Sequence, residues 1–311
     1  MRRAPRYAVS LPLAAPTADR PPGPVRTARG GSRGLVGPAL VAVAAASWGT
    51  WSVFLRPTGL PATVTTPLIF LMIGLSTLPA ALRAPRVAWD RETVGLVAAF
   101  AALDGVNVIA YFAAIQHTTI AIAVLTHYLA PILVALAAPR IDGVVTRGAR
   151  PAAAVALAGL IVILAPWRAA SDGALLGAGL GVASAVCYAG NVFTARRIAA
   201  RIGATRALSY HALLAAAAGA PLVAGHLGEL TLPRVGLLAA GAVSLGAASG
   251  VAFTVGLLRI GSARAAVLTF IEPMVAVGVG AAVWREPLSP LAIVGGALVL
   301  GAGIEVARKA R

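Results

Sequence analysis

The sequence predicts an all-α membrane protein in which ten transmembrane helices form two inverted five-helix halves. Three observations carry that prediction. Of the 311 residues, 59% are apolar and 12% charged, with a mean hydropathy of +0.87, whereas a soluble domain carries about 25% charged residues. Apolar stretches recur along almost the whole chain, each long enough to cross a hydrocarbon core of about 30 Å at about 1.5 Å per residue. Features of the first half also return about 140 residues later, at corresponding helices.

Residues 1–34 are rich in Arg and Pro and poor in apolar residues, a composition that cannot bury enough surface to fold. They read as a disordered cytoplasmic tail. Arg2-Arg3 ahead of an apolar run resembles the start of a secretory or twin-arginine signal. The run continues past Trp48 to Leu55 at full spanning length, which argues for a retained helix. The spans predicted next are 35–55, 63–82, 94–115, 119–138 and 151–166 in a first half over 35–167. Those of a second half over 174–307 are 174–195, 207–225, 235–258, 265–284 and 288–304. Trp89, Trp167 and Trp284 stand at span ends and read as interfacial anchors.

Ten spans leave both termini on one side. All 26 Lys and Arg except Arg56, Arg168, Arg234 and Arg285 fall in the tails and in the loops on that side. Cytoplasmic loops carry such an excess, so both termini are expected in the cytoplasm and the protein in the inner (cytoplasmic) membrane. A net charge of +16 could suggest nucleic acid, but the basic residues lie between apolar spans rather than on one solvated face, and no nucleic-acid partner is expected. Lys309 is the only lysine. It excludes an intramembrane Schiff base and a phosphate-binding loop ending in Gly-Lys-Ser/Thr. Cys187 is the only cysteine, so neither a disulfide nor a thiolate metal site is expected. His117 and His226 fall in outer loops and His211 near the cytoplasmic end of span 7, too scattered for a metal or haem pair. No cofactor is expected.

The repeat is visible in two places. Ser47-Trp48-Gly49-Thr50 in span 1 matches Cys187-Tyr188-Ala189-Gly190 in span 6. Tyr128-Leu129-Ala130-Pro131 in span 4 matches Phe270-Ile271-Glu272-Pro273 in span 9. With five helices per half, the second half must enter the membrane from the opposite side. That inverted plan is common among alternating-access transporters.

Trp48-Gly49 in span 1, Glu272-Pro273 in span 9 and the Arg285-Glu286-Pro287-Leu288 turn before span 10 resemble the drug/metabolite transporter superfamily with two EamA-type halves. The resemblance covers residues 35–307. The stretch Ile115-Gln116-His117-Thr118 to Val124 is similar to the threonine/homoserine exporter branch. The first half departs from the pattern, with Ala130 opposite Glu272 and Pro139-Arg140 where a Gly-Glu-Arg turn is often seen. The resemblance implies export of a small metabolite, with an amino acid as the first candidate.

Asp104 in span 3 and Glu272 in span 9 are the acidic residues near the bilayer midplane, where a charge costs about 2.5–3.5 kcal/mol or more and marks a functional site by default. Asp104, Asn107 and Tyr111 share one helical face at i, i+3 and i+7, and Ser184, Tyr188 and Asn191 share another at i, i+4 and i+7. These two stripes would line a polar cavity between the halves. Polar pairs that only bind neighbouring helices are the alternative, worth about 0.6 kcal/mol on average. Trp48 and Trp51 share a face of span 1 and would line the same cavity or pack against a neighbour. His127 could bond a substrate or relay a proton. Pro131 and Pro273 remove hydrogen bonds at matching points, freeing the carbonyls of His127 and Thr269, and spans 4 and 9 are expected to break there.

Asp104 and Glu272 are the candidates for proton coupling, although Glu272 could equally be a structural pin. The expected partners are a small-molecule substrate and the bilayer, with the choice between monomer and homodimer left open by small-residue spacings such as Gly177 to Gly181, Gly246 to Gly250 and Ala297 to Gly301. The rival readings are an intramembrane enzyme acting on a lipid-linked substrate and a membrane scaffold. The enzyme reading lacks a cluster of acidic or His residues at one interface.

Overall fold

The computed structural model describes residues 33–165, Trp167, 174–285 and 290–308. Nearly all of the expected N-terminal tail, and the Glu286-Pro287-Leu288 part of the turn before span 10, lie outside the described residues. Among the described residues there is no strand. Eight helical spans are long and apolar enough to cross a bilayer: Gly34–Thr58, Ala62–Arg83, Arg91–Ile115, Ile122–Ile141, Leu175–Ile202, Ala204–Ala224, Leu232–Ile260 and Ser262–Trp284. Two shorter apolar helices, Ala149–Leu164 and Ile293–Val306, take the places expected of spans 5 and 10.

The individual helices are α1 (Arg33–Trp48), α2 (Ser52–Leu55), α3 (Ala62–Arg83), α4 (Arg91–His117), α5 (Ile120–His127), α6 (Ala130–Ile141) and α7 (Ala149–Leu164). The remainder are α8 (Ala174–Ile202), α9 (Ala204–Ala224), α10 (Leu232–Gly241), α11 (Ser249–Ile260), α12 (Ser262–Leu268), α13 (Ile271–Trp284) and α14 (Pro290–Arg308). The sixth span runs to Ile202 rather than the expected 195. Arg196, Arg197 and Arg201 end the apolar stretch, but arginine is a strong helix former and the helix continues past the hydrocarbon boundary.

Four helix pairs dominate the packing: α3 with α9, α4 with α8, α7 with α14, and α1 with α11. Exchanging every span with the one five places along maps the first and third of these pairs onto themselves and swaps the second with the fourth. Lipid tails are as apolar as Leu, so helices in a bilayer associate through close van der Waals packing at small residues. The crossing of α7 and α14 depends on this, because Gly159 and Gly295 face each other so closely that a Cβ on either would strike the other's carbonyl oxygen. The outer faces carry exposed Val106, Ile109, Val182, Val186, Ile293 and Ile304, suited to lipid. Gly177 and Gly181 pack against Thr118 and Thr126, and Gly246 and Gly250 against Ile73 and Leu208, all within the chain. Gly301 touches nothing within 4 Å, so the Ala297–Gly301 spacing makes no close helix contact there.

At the end of the bundle richest in arginine, the junction of α8 and α9 is tied to the first half. Arg196 pairs with Asp142 at 2.9 Å, and Arg201 with Asp90 at 2.7 Å and Glu92 at 2.9 Å. Buried Arg206 donates to the carbonyls of Pro85 at 2.6 Å and Ala84 at 2.7 Å, occupying acceptors at the end of α3.

Candidate functional site

Two of the spans are interrupted halfway. α5 ends at His127 and α6 begins at Ala130; α12 ends at Leu268 and α13 begins at Ile271. Pro131 and Pro273 therefore sit in the first turn of the following segment, where a missing N–H is no loss. The Thr269 carbonyl is not left free, however: it accepts the Glu272 backbone N–H at 3.0 Å in a tightened turn. The rings of Tyr128 and Phe270, one at each break, lie 5.8 Å apart. Span 1 is also interrupted by a turn between α1 and α2, where Gly49 lies against the Glu272 carbonyl so closely that a Cβ there would meet it at 2.5 Å. A π-helical turn over Ala242–Ala248 interrupts the eighth span. Such π segments often mark functional sites.

These irregular segments surround a central cavity of about 450 Å³. Trp48, Trp51, Asp104, Asn107, Tyr111, His127, Tyr188, Asn191 and Glu272 all line it, drawn from spans 1, 3, 4, 6 and 9. It extends to Leu55 and Thr65 near the arginine-poor ends of spans 1 and 2. Toward the arginine-rich end it stops at Phe100, Ala195 and Leu208, beneath a buried cluster that includes Val97, Ile198, Leu257 and Ile260.

The two polar stripes meet across α4 and α8. Asn191 Nδ2 donates to Asp104 Oδ1 at 2.9 Å, and Ser184 Oγ donates to Asn107 Oδ1 at 2.8 Å. Because the Ser184 proton is committed to Asn107, its oxygen accepts from His127 Nδ1 at 2.8 Å. That bond makes Nδ1 the protonated nitrogen, and the rings of Tyr111 and Tyr188 pack beside the imidazole with centroids 4.7 and 5.3 Å away. On the other wall, Tyr188 and Glu272 face the same cavity. The Trp48 indole donates to the Leu245 carbonyl inside the π-helical turn at 2.9 Å, and its ring packs on Phe253.

His211 is the residue that sequence reasoning missed. It is 2% exposed and lines the cavity, with Nε2 3.1 Å from Asp104 Oδ2 and Nδ1 3.2 Å from the Ala207 carbonyl. Carbonyl and carboxylate oxygens only accept, so each contact needs a proton, and the Asp104–His211 pair is neutral overall whichever partner holds the shared one. Phe100 stacks on the imidazole at 3.8 Å. Counting turns from the end of its own helix placed His211 near the interface, but it reaches a carboxylate halfway along α4. A His seven residues into an apolar helix, opposite an intramembrane acid, was the available signal. His117 and His226 do not line the cavity. Among the described residues no group of three His, Cys, Asp or Glu could hold a metal.

An all-helical bundle with broken helices around a largely apolar central cavity that holds a few polar groups is the architecture of a multi-pass membrane transporter. The comparisons specify which. The EamA-like transporter family matches residues 175–304. A protein of Archaeoglobus fulgidus named as an uncharacterized transporter is 32% identical over 278 residues, 87% of this chain and 96% of that protein. A solved crystal structure shares the fold with a TM-score of 0.72, at 21% identity over 87% of this chain and 96% of the other. The chain belongs to the EamA-like transporter family of the drug/metabolite transporter superfamily, and is a transporter rather than an enzyme.

Proposed function

We propose that this transporter is a secondary active exporter of a small amphipathic solute, working by alternating access between halves spanning 35–167 and 174–307. The observation that carries the reading is the central cavity, bounded by both halves and by the two facing helix breaks. The exchange pattern of the four helix pairs supports an inverted arrangement. With the arginine-rich end in the cytoplasm of a cell whose inner membrane holds the protein, the cavity extends toward the outside. The ties of Arg196, Arg201 and Arg206 then close the cytoplasmic side and must break when access switches.

Asp104 and Glu272 are the proposed proton-coupling groups, with Asn107, Asn191, Tyr111, Tyr188, His127, Trp48 and Trp51 contributing to solute binding. An amino acid, the class implied by the resemblance, is the first to assay. Purified protein in proteoliposomes should accelerate counterflow of its solute, with an imposed proton gradient driving net movement. Asp104→Asn and Glu272→Gln should each abolish gradient-driven accumulation. Full coupling in both variants would remove the proton from the mechanism, and a lack of counterflow for every solute class would remove transport.

A further inference from the structure

We infer that a second, smaller pocket, between spans 2, 3 and 7, holds one acyl chain of a bilayer phospholipid in the leaflet at the arginine-poor end. The site lies beside the central cavity, and its assignment does not rest on the transport reading.

The pocket has a volume of about 250 Å³ and forms where α4 draws away from the α3–α9 pair. On its arginine-rich side the three helices are held together, with Asp104 of α4 on His211 of α9 and Phe70 of α3 against the same imidazole. The α3–α9 contact stays closed further out, where Gly219 lies against Pro67. The flank of α4 does not close. Ala101, Gly105 and Ala113 face Ala215 and Ala218 of α9 across the pocket, and a Cβ at Gly105 would meet nothing within 4 Å. Exchanging each span with the one five places along moves the pocket to spans 7, 8 and 2. There Gly246 against Ile73 and Gly250 against Leu208 fill the space, so the opening belongs to one flank and is not a default of the helix pattern.

The lining decides the occupant. Thr63 and Thr66, in the first two turns of α3, are its only polar residues. Water needs two to four polar partners, and apolar cavities stay dry. An unfilled pocket would cost the lining atoms their dispersion contacts. Hydrocarbon is what remains, and the bilayer supplies it. Exposed Ile109 flanks the mouth about 12 Å inside the end of α4, at about 1.5 Å per residue, so the pocket opens within the hydrocarbon layer. An apolar cavity of about 150 Å³ holds a benzene ring, so this one takes roughly ten carbons, a length of chain rather than a headgroup. Thr66, Phe70, Val108 and Phe112 line both this pocket and the central cavity. The chain therefore backs the cavity wall and limits how far the two Phe rings can swing.

The test reconstitutes the full chain in phosphatidylcholine vesicles doped with a phosphatidylcholine that carries a diazirine midway along one acyl chain. After photolysis the labelled residues are mapped by mass spectrometry. Label should be severalfold denser on 105–113 of α4 and 215–222 of α9 than around the exposed Val182 and Val186 of α8 or Ile293 and Ile304 of α14. Gly105→Leu puts a side chain into the open space and should cut the label at the pocket severalfold while leaving those outer faces unchanged. Should that variant fail to fold, Ala218→Leu fills the pocket from α9 and should do the same. Label no denser at the pocket than on the outer faces overturns the inference, as does dense label that a folded filling variant leaves untouched. A free diazirine fatty acid that labels the pocket where the phospholipid does not overturns it too.

Discussion

The Asp104–His211 contact should behave as a strongly coupled pair in a double-mutant cycle of His211→Leu and Asp104→Leu. His211 Nε2 and Asp104 Oδ2 meet at 3.1 Å with His211 almost fully enclosed. With the shared proton on His211, the pair at that distance attracts by about 5 kcal/mol at an effective dielectric of about 20, before desolvation is subtracted. Removing one partner leaves a buried group uncompensated and costs about 3–5 kcal/mol. His211→Leu additionally loses the stacking on Phe100, about 1 kcal/mol. The double variant removes both partners together, so its loss should fall short of the summed single losses by about 2–4 kcal/mol. Reversible unfolding in mixed detergent and SDS micelles at pH 7 gives the four free energies. Losses that add to within about 0.5 kcal/mol would mean that the two groups do not interact, and the neutral-pair description would be abandoned.

Other consequences are local. A side chain at position 181 must displace Thr126 across the α5–α8 contact. Gly181→Leu should therefore destabilise by about 1–3 kcal/mol, read as a lower unfolding midpoint, whereas Gly301→Ala, with open space around it, should be neutral. Ala165 ends α7 in the left-handed region at φ 42°, so Ala165→Gly should stabilise by about 1 kcal/mol in the same unfolding assay. At the arginine-rich end, the Thr93 hydroxyl and backbone N–H, followed by Arg201, hold the Asp90 carboxyl below its usual range. A depressed folded value stabilises above the unfolded one, near 4, and that contribution disappears as pH falls through the folded value. Asp90→Asn should consequently flatten the loss of stability below about pH 4 while leaving the rest of the pH profile unchanged.

Hydropathy alone located the spans to within a few residues, because a bilayer imposes its thickness on every crossing helix. It was least accurate where a helix outlasts its apolar stretch, as at Arg196–Ile202. The interruptions near Pro131 and Pro273 were legible because proline cannot donate to a preceding turn. The turn at Gly49–Trp51 and the π-helical segment at Ala242–Ala248 carry no such mark, and both are held by distant groups. Gly49 lies against the Glu272 carbonyl, and Leu245 accepts from Trp48. Residue spacing showed that Asp104, Asn107 and Tyr111 share one face and Ser184, Tyr188 and Asn191 another.

The residues alone thus determined what a one-dimensional pattern can encode: which segments cross the bilayer, where proline interrupts them, and which side chains share a helical face. Which faces meet was decided only by the tertiary structure. Helical periodicity gives direction around an axis but neither the tilt of that axis nor its neighbour. His211, counted along α9 alone, seemed to belong near an interface, and the packing of α9 against α4 set it on Asp104 instead. The same packing brought the two polar stripes of α4 and α8 into contact across the cavity.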